Sequence, residues 1–128
     1  MSEPPRIWTA QYAPGHGADI AAEHAHALSL FRSAVARAGH RAAIHYFDES
    51  LSYSQLDDLS DALACALLAR GVKRGDRVAL FLQNVPQFVI GLVAAWKAGA
   101  IAVSINPMNR ERELERREIG RASCRERV

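Results

Sequence analysis

Residues 77–105 constrain the fold of this chain more than any other segment. Residues 77–82 form a short, glycine-free, mostly apolar run, residues 86–98 are apolar on nearly every side, and residues 100–105 are again apolar. Short runs of this kind read as strands buried on both faces, and the all-round apolar segment between them as a deeply buried helix. The punctuation agrees. Asn84 can cap the helix, and Pro86 stands near its first position, where a missing amide proton costs nothing. Gly99 ends the helix, and Asn106 before Pro107 closes the second strand, because the residue preceding proline is driven out of helical geometry. Strand, helix and strand in that order make a right-handed parallel crossover. The fold class is therefore read as α/β.

Upstream, Leu28, Phe31, Val35 and Ala38 recur at helical spacing, with Gly39 as a stop. Residues 42–47 and 51–53 read as a small hairpin around a turn at residues 48–50. Ser52 with Gln55 three residues later fits a capping box, so a helix should begin there. Leu56, Leu59, Leu63, Ala66 and Leu67 would form its buried stripe. Asp57, Asp58 and Asp61 would face solvent near its start, where negative charge suits the helix dipole. Gly71 supplies the stop.

A chain of 128 residues and 14.0 kDa makes one ordinary domain or a piece of something larger. Its 49% hydrophobic and 23% charged residues are those of a soluble globular protein. Sixteen basic against fourteen acidic residues leave a formal charge of +2, too small to nominate nucleic acid or an anionic membrane as partner. Cys65 and Cys124 form no C-x-x-C pair, which argues against a zinc site or a disulfide framework. The first seventeen residues lack a signal-peptide layout, and no apolar run reaches membrane-spanning length. A cytoplasmic location is the expectation.

Candidate chemistry is sparse. His24 and His26 lie two apart, and His40 and His45 flank a turn, so no i, i+4 pair shares a helix face. The three aspartates are better explained as a solvated, dipole-compensating face than as a cation site. Cys65 beside an apolar stripe reads as an inert, packed thiol. The turn at residues 82–86 has no glycine and cannot be a G-x-G-x-x-G phosphate loop, while Gly71 and Gly75 bracket an ordinary bend before a strand. The residues by themselves assign no catalytic, cofactor-binding or metal-ligating role.

Residues 51–56 (Leu-Ser-Tyr-Ser-Gln-Leu), 63–68, Gly71-Val72, residues 75–79, Asn84-Val85-Pro86 and Lys97-Ala98-Gly99-Ala100 lie in the order and spacing of one known block. Across residues 25–115 the chain resembles the N-terminal region of the AMP-forming acyl-CoA synthetase superfamily, which also includes aryl-acid ligases, luciferases and peptide-synthetase adenylation domains. Residues 104–114 look most like long-chain fatty-acid–CoA ligases. The resemblance implies a partial N-terminal subdomain of the adenylate-forming fold. It also implies a reaction in which a carboxylate attacks the α-phosphate of ATP, with Mg2+ present, to give an acyl-adenylate and pyrophosphate. A thiol, usually coenzyme A, then displaces AMP. The superfamily's phosphate loop, its adenine and magnesium motifs and its catalytic lysine all lie downstream of the matching block, so no family site residue is placed here. The alternatives are an adenylation enzyme of aryl-acid or peptide-synthetase type and a non-catalytic α/β interaction module. Peripheral membrane attachment, known among fatty-acid-type ligases, is left open.

The organisation read from the sequence is an irregular segment over residues 1–24, a partial AMP-binding domain over residues 25–117, and a foreign end. Residues 118–128 (Glu-Ile-Gly-Arg-Ala-Ser-Cys-Arg-Glu-Arg-Val) are the translation of a common sequencing-library adapter. That reading implies a gene cut near Arg117 and a natural protein several times longer; its rival is a genuine charged helix over residues 110–117. The piece alone is expected to be inactive, to bind no cofactor and to self-associate.

Overall fold

The hairpin and the helix after it are locally encoded. In the computed structural model, which describes residues 6–17, 19 and 21–108, β1 (Ala42–Tyr46) pairs antiparallel with β2 (Glu49–Ser52), Tyr46 opposite Glu49. The turn is Phe47-Asp48, so β2 starts earlier than residue 51. Phe47 takes the left-handed backbone region at φ 51°, is 88% exposed, and sets its ring edge-on to Tyr46 at 4.6 Å. The capping box forms as expected: the Gln55 amide donates to Ser52 Oγ at 3.2 Å, and the Ser52 amide donates to Gln55 Oε1 at 2.9 Å. With those donors satisfied, α2 (Tyr53–Ala69) runs to a left-handed Gly71 at φ +89°.

Before the hairpin, a short 3-10 turn (Ile7–Gln11) precedes α1 (Ala27–Ala38). His26 starts α1: its Nδ1 accepts the Ser29 amide at 3.1 Å, and its own amide donates to Ser29 Oγ at 3.3 Å. Leu28, Phe31, Val35 and Ala38 form the inward, half-buried side of the helix. Gly39 follows, but in right-handed geometry at φ −54°. Its role is close approach. A Cβ there would lie 2.5 Å from Ser54 Oγ and 2.9 Å from the Val35 carbonyl oxygen, and the Ser54 amide donates to the Gly39 carbonyl at 2.9 Å. The end of α1 is thereby tied to the start of α2.

The crossover is present. β3 (Arg77–Phe81) and β4 (Ile101–Ile105) run parallel, with Arg77 opposite Ile101 and Phe81 opposite Ile105, joined by α3 (Pro86–Lys97). The α3 segment holds much of the core: Gly91, Val93, Ala94 and Ala95 are buried. Its longest contact is with α2, and it also covers one face of the strand pair. On that face a Cβ on Gly91 would come within 3.0 Å of Leu80 Cδ2, so the absence of a side chain lets helix and strand approach closely.

Three expectations are corrected. The strands are not buried throughout on both faces: Arg77, Ala79 and Phe81 of β3 and Ile101 and Ser104 of β4 are exposed, while Leu80 and Ile105 are buried, because the packed elements cover the two-stranded sheet only in part. The buried stripe of α2 is Leu56, Ser60 and Ala64, with Leu59 46% exposed and Ala66 on the surface. Facing α3 at short range favours small side chains over larger apolar ones, and Ser60 is accommodated because its hydroxyl donates to the Asp57 carbonyl at 2.9 Å. Cys65 is exposed rather than packed. Among the described residues no helix is long and apolar enough to cross a membrane.

Candidate functional site

In open parallel sheets ligands bind in the crevice beyond the carboxyl ends of the strands, where the chain leaves for the next element. Here that position is occupied by an open groove of about 550 Å3. Leu82, Gln83, Asn84, Val85 and Phe88 line it after β3, residues 104–108 line it at and beyond the end of β4, and Tyr46 closes it from the hairpin. Local hydrogen bonds shape its walls. The Met108 amide donates to Asn106 Oδ1 at 2.9 Å, bending the chain as it leaves β4, and the Val85 amide donates to the Gln83 carbonyl at 2.9 Å.

Asn84 is not the helix cap that the sequence suggested. Val85 occupies the N-cap position, and no side chain caps α3. Pro86 follows at the start of the helix, contributing no amide hydrogen of its own.

The described lining of this groove offers groups for binding. Among the described residues its lining holds amide, hydroxyl and apolar groups, and no Asp, Glu, Lys, Arg or His. Among the described lining residues no carboxylate or imidazole stands beside the Ser104 hydroxyl to act as its base. Phosphoryl chemistry needs cationic neutralisation, which the described lining residues do not supply.

The three aspartates are placed differently from the expectation. Asp57 and Asp61 lie beyond the first turn of α2, where the helix dipole has little hold on them, and both face the end of α3. Lys97 Nζ stands 2.5 Å from Asp57 Oδ1, 2.8 Å from the Asp57 carbonyl and 2.7 Å from Asp61 Oδ1, with the Phe31 ring centroid at 5.7 Å. Two of the ammonium's donors go to Asp57 oxygens, and Asp61 completes the cluster as a second ion-pair partner. Any room for a cation between these carboxylates is therefore taken by Lys97, while Asp58 is left at the surface. Sequence reasoning missed this cluster. The available signal was a lone lysine ending an apolar helix, together with two aspartates one helical turn apart.

His26 caps α1, and His40 and His45 are exposed. Gly75, at φ +86°, bends the chain ahead of β3, and its amide donates to the Gly99 carbonyl at 2.9 Å.

A match to the family described as AMP-binding enzyme covers residues 31–118. The chain belongs to the AMP-binding enzyme family. A long-chain-fatty-acid–CoA ligase of Salmonella typhimurium is 33% identical over 112 residues, which is 86% of this chain and 20% of the relative. A PKS-NRPS hybrid synthetase of Aspergillus niger is 40% identical over 80 residues, 62% of this chain and 4% of that protein. Among solved structures, the N-terminal subdomain of Klebsiella oxytoca NpsA, in complex with 3-hydroxyanthranilyl-AMSN, superposes with a TM-score of 0.67 at 27% identity. That match covers 70% of this chain and 23% of the other. The α/β architecture thus matches part of the N-terminal subdomain of an adenylation enzyme, and the chain spans 20% of the length of the curated ligase it matches.

Proposed function

We propose that this chain is the N-terminal part of an ATP-dependent acid–thiol ligase that activates a fatty acid as its acyl-adenylate and transfers the acyl group to coenzyme A. The observation that carries this reading is the 33% identity to a long-chain-fatty-acid–CoA ligase across 86% of the chain. In the first half-reaction a carboxylate oxygen bonds to the α-phosphorus of ATP and pyrophosphate leaves. In the second a thiol sulfur bonds to the acyl carbon, AMP leaves, and the thiol proton goes to solvent.

The described residues fit a scaffold for that chemistry rather than its catalytic groups. Among the described residues the groove beyond β3 and β4 has no cationic side chain for phosphate oxygens, and Asp57 and Asp61 already share the Lys97 ammonium between them, so they do not fit a magnesium site. ATP, magnesium and coenzyme A would be held by residues outside this segment. The adapter reading of residues 118–128, which lie outside the described residues, belongs to the same proposal: the gene continues past Arg117.

A second reading keeps the family and changes the acceptor. The 40% identity to a PKS-NRPS hybrid synthetase favours adenylation within a synthetase, with a carrier-protein thiol in place of coenzyme A.

Reading the genomic locus past the codon for Arg117 with adapter-trimmed long reads, then expressing the full frame, tests both. Fatty-acid-dependent ATP–pyrophosphate exchange and acyl-CoA formation by the full-length enzyme, with no exchange by the 128-residue chain, is the expected result. Exchange without acyl-CoA formation would move the assignment to the second reading. A genomic stop codon directly after Val128, or exchange catalysed by the short chain, would overturn the proposal.

A further inference from the structure

We draw no further inference here: the strongest candidate, the open apolar face of the β3–β4 sheet around Phe81 and Ile101, carries nothing because nothing in the structure shows what covers it.

Discussion

Lys97, the last residue of α3, places its ammonium 2.5 Å from Asp57 Oδ1 and 2.8 Å from the backbone carbonyl of the same residue on α2. The lysine side chain is 7% exposed, whereas Asp57 and Asp61 keep 31% and 63% of theirs in solvent. The cation is thus the desolvated member of the cluster, and the carboxylates remain partly hydrated. Removing the lysine leaves two carboxylates that water can still reach, so the loss should fall below that of a fully buried pair. Lys97→Met should lower stability by about 2 kcal/mol, and Asp61→Asn by about 0.5 kcal/mol, since the more exposed partner contributes less. Urea midpoints at low protein concentration check the order. Equal losses for both variants would show that the burial difference does not govern the energetics.

Lys97→Arg is not expected to restore stability, because the wider planar guanidinium does not match three oxygens arranged around a compact ammonium.

The start of α2 rests on a reciprocal pair of hydrogen bonds between Ser52 and Gln55. Ser52→Ala should cost about 1 kcal/mol, while Ser52→Asp should be nearly neutral because a carboxylate can accept the same amide. A Ser52→Asp variant as destabilised as Ser52→Ala in thermal unfolding would mean that hairpin pairing at this residue, rather than capping, is what the substitutions disturb.

Gly39 is held by contact rather than by backbone conformation, since its φ of −54° suits any residue. Gly39→Ala should nonetheless destabilise by about 1–3 kcal/mol through overpacking against Ser54 Oγ and the Val35 carbonyl. Adding Ser54→Gly should recover only part of the loss, because the carbonyl lies 2.9 Å from the new Cβ and cannot rotate away. Full recovery in the double variant would place the whole clash on Ser54.

Phe81 and Ile101 are 47% and 50% exposed on strands whose other face is covered by α3. Apolar strand surface left open in this way promotes non-specific association. The isolated chain should scatter light as a broad distribution of oligomers, and the Phe81→Lys, Ile101→Lys double variant should reduce that scatter without changing helical circular dichroism. A single monomeric species for the unsubstituted chain in the same light-scattering measurement would refute this expectation.

Much of the element order was legible because its signals act within a turn of backbone. Ser52 and Gln55 cap α2 through bonds to each other, Pro86 opens α3, and Gly99, at φ +73°, follows its end. The candidate groove was less legible. Its lining comes from a hairpin residue, Tyr46, and from two strand exits separated in sequence by the whole of α3, and no residue within it carries the charge or glycine pattern by which a site is read from sequence.

By themselves, then, the residues determined the order of helices and strands, the start of α2, the α/β crossover, and the family resemblance, because capping, periodicity and proline geometry depend on near neighbours. Only the tertiary structure decided which face of each element is covered. Ser60 and Ala64 are buried while Leu59 and Ala66 are not, because α3 lies close to that side of α2 and Lys97 draws Asp57 and Asp61 toward it. Face selection of this kind follows the shape and charge of a surface supplied from elsewhere in the chain, which the hydrophobicity of the helix alone does not encode.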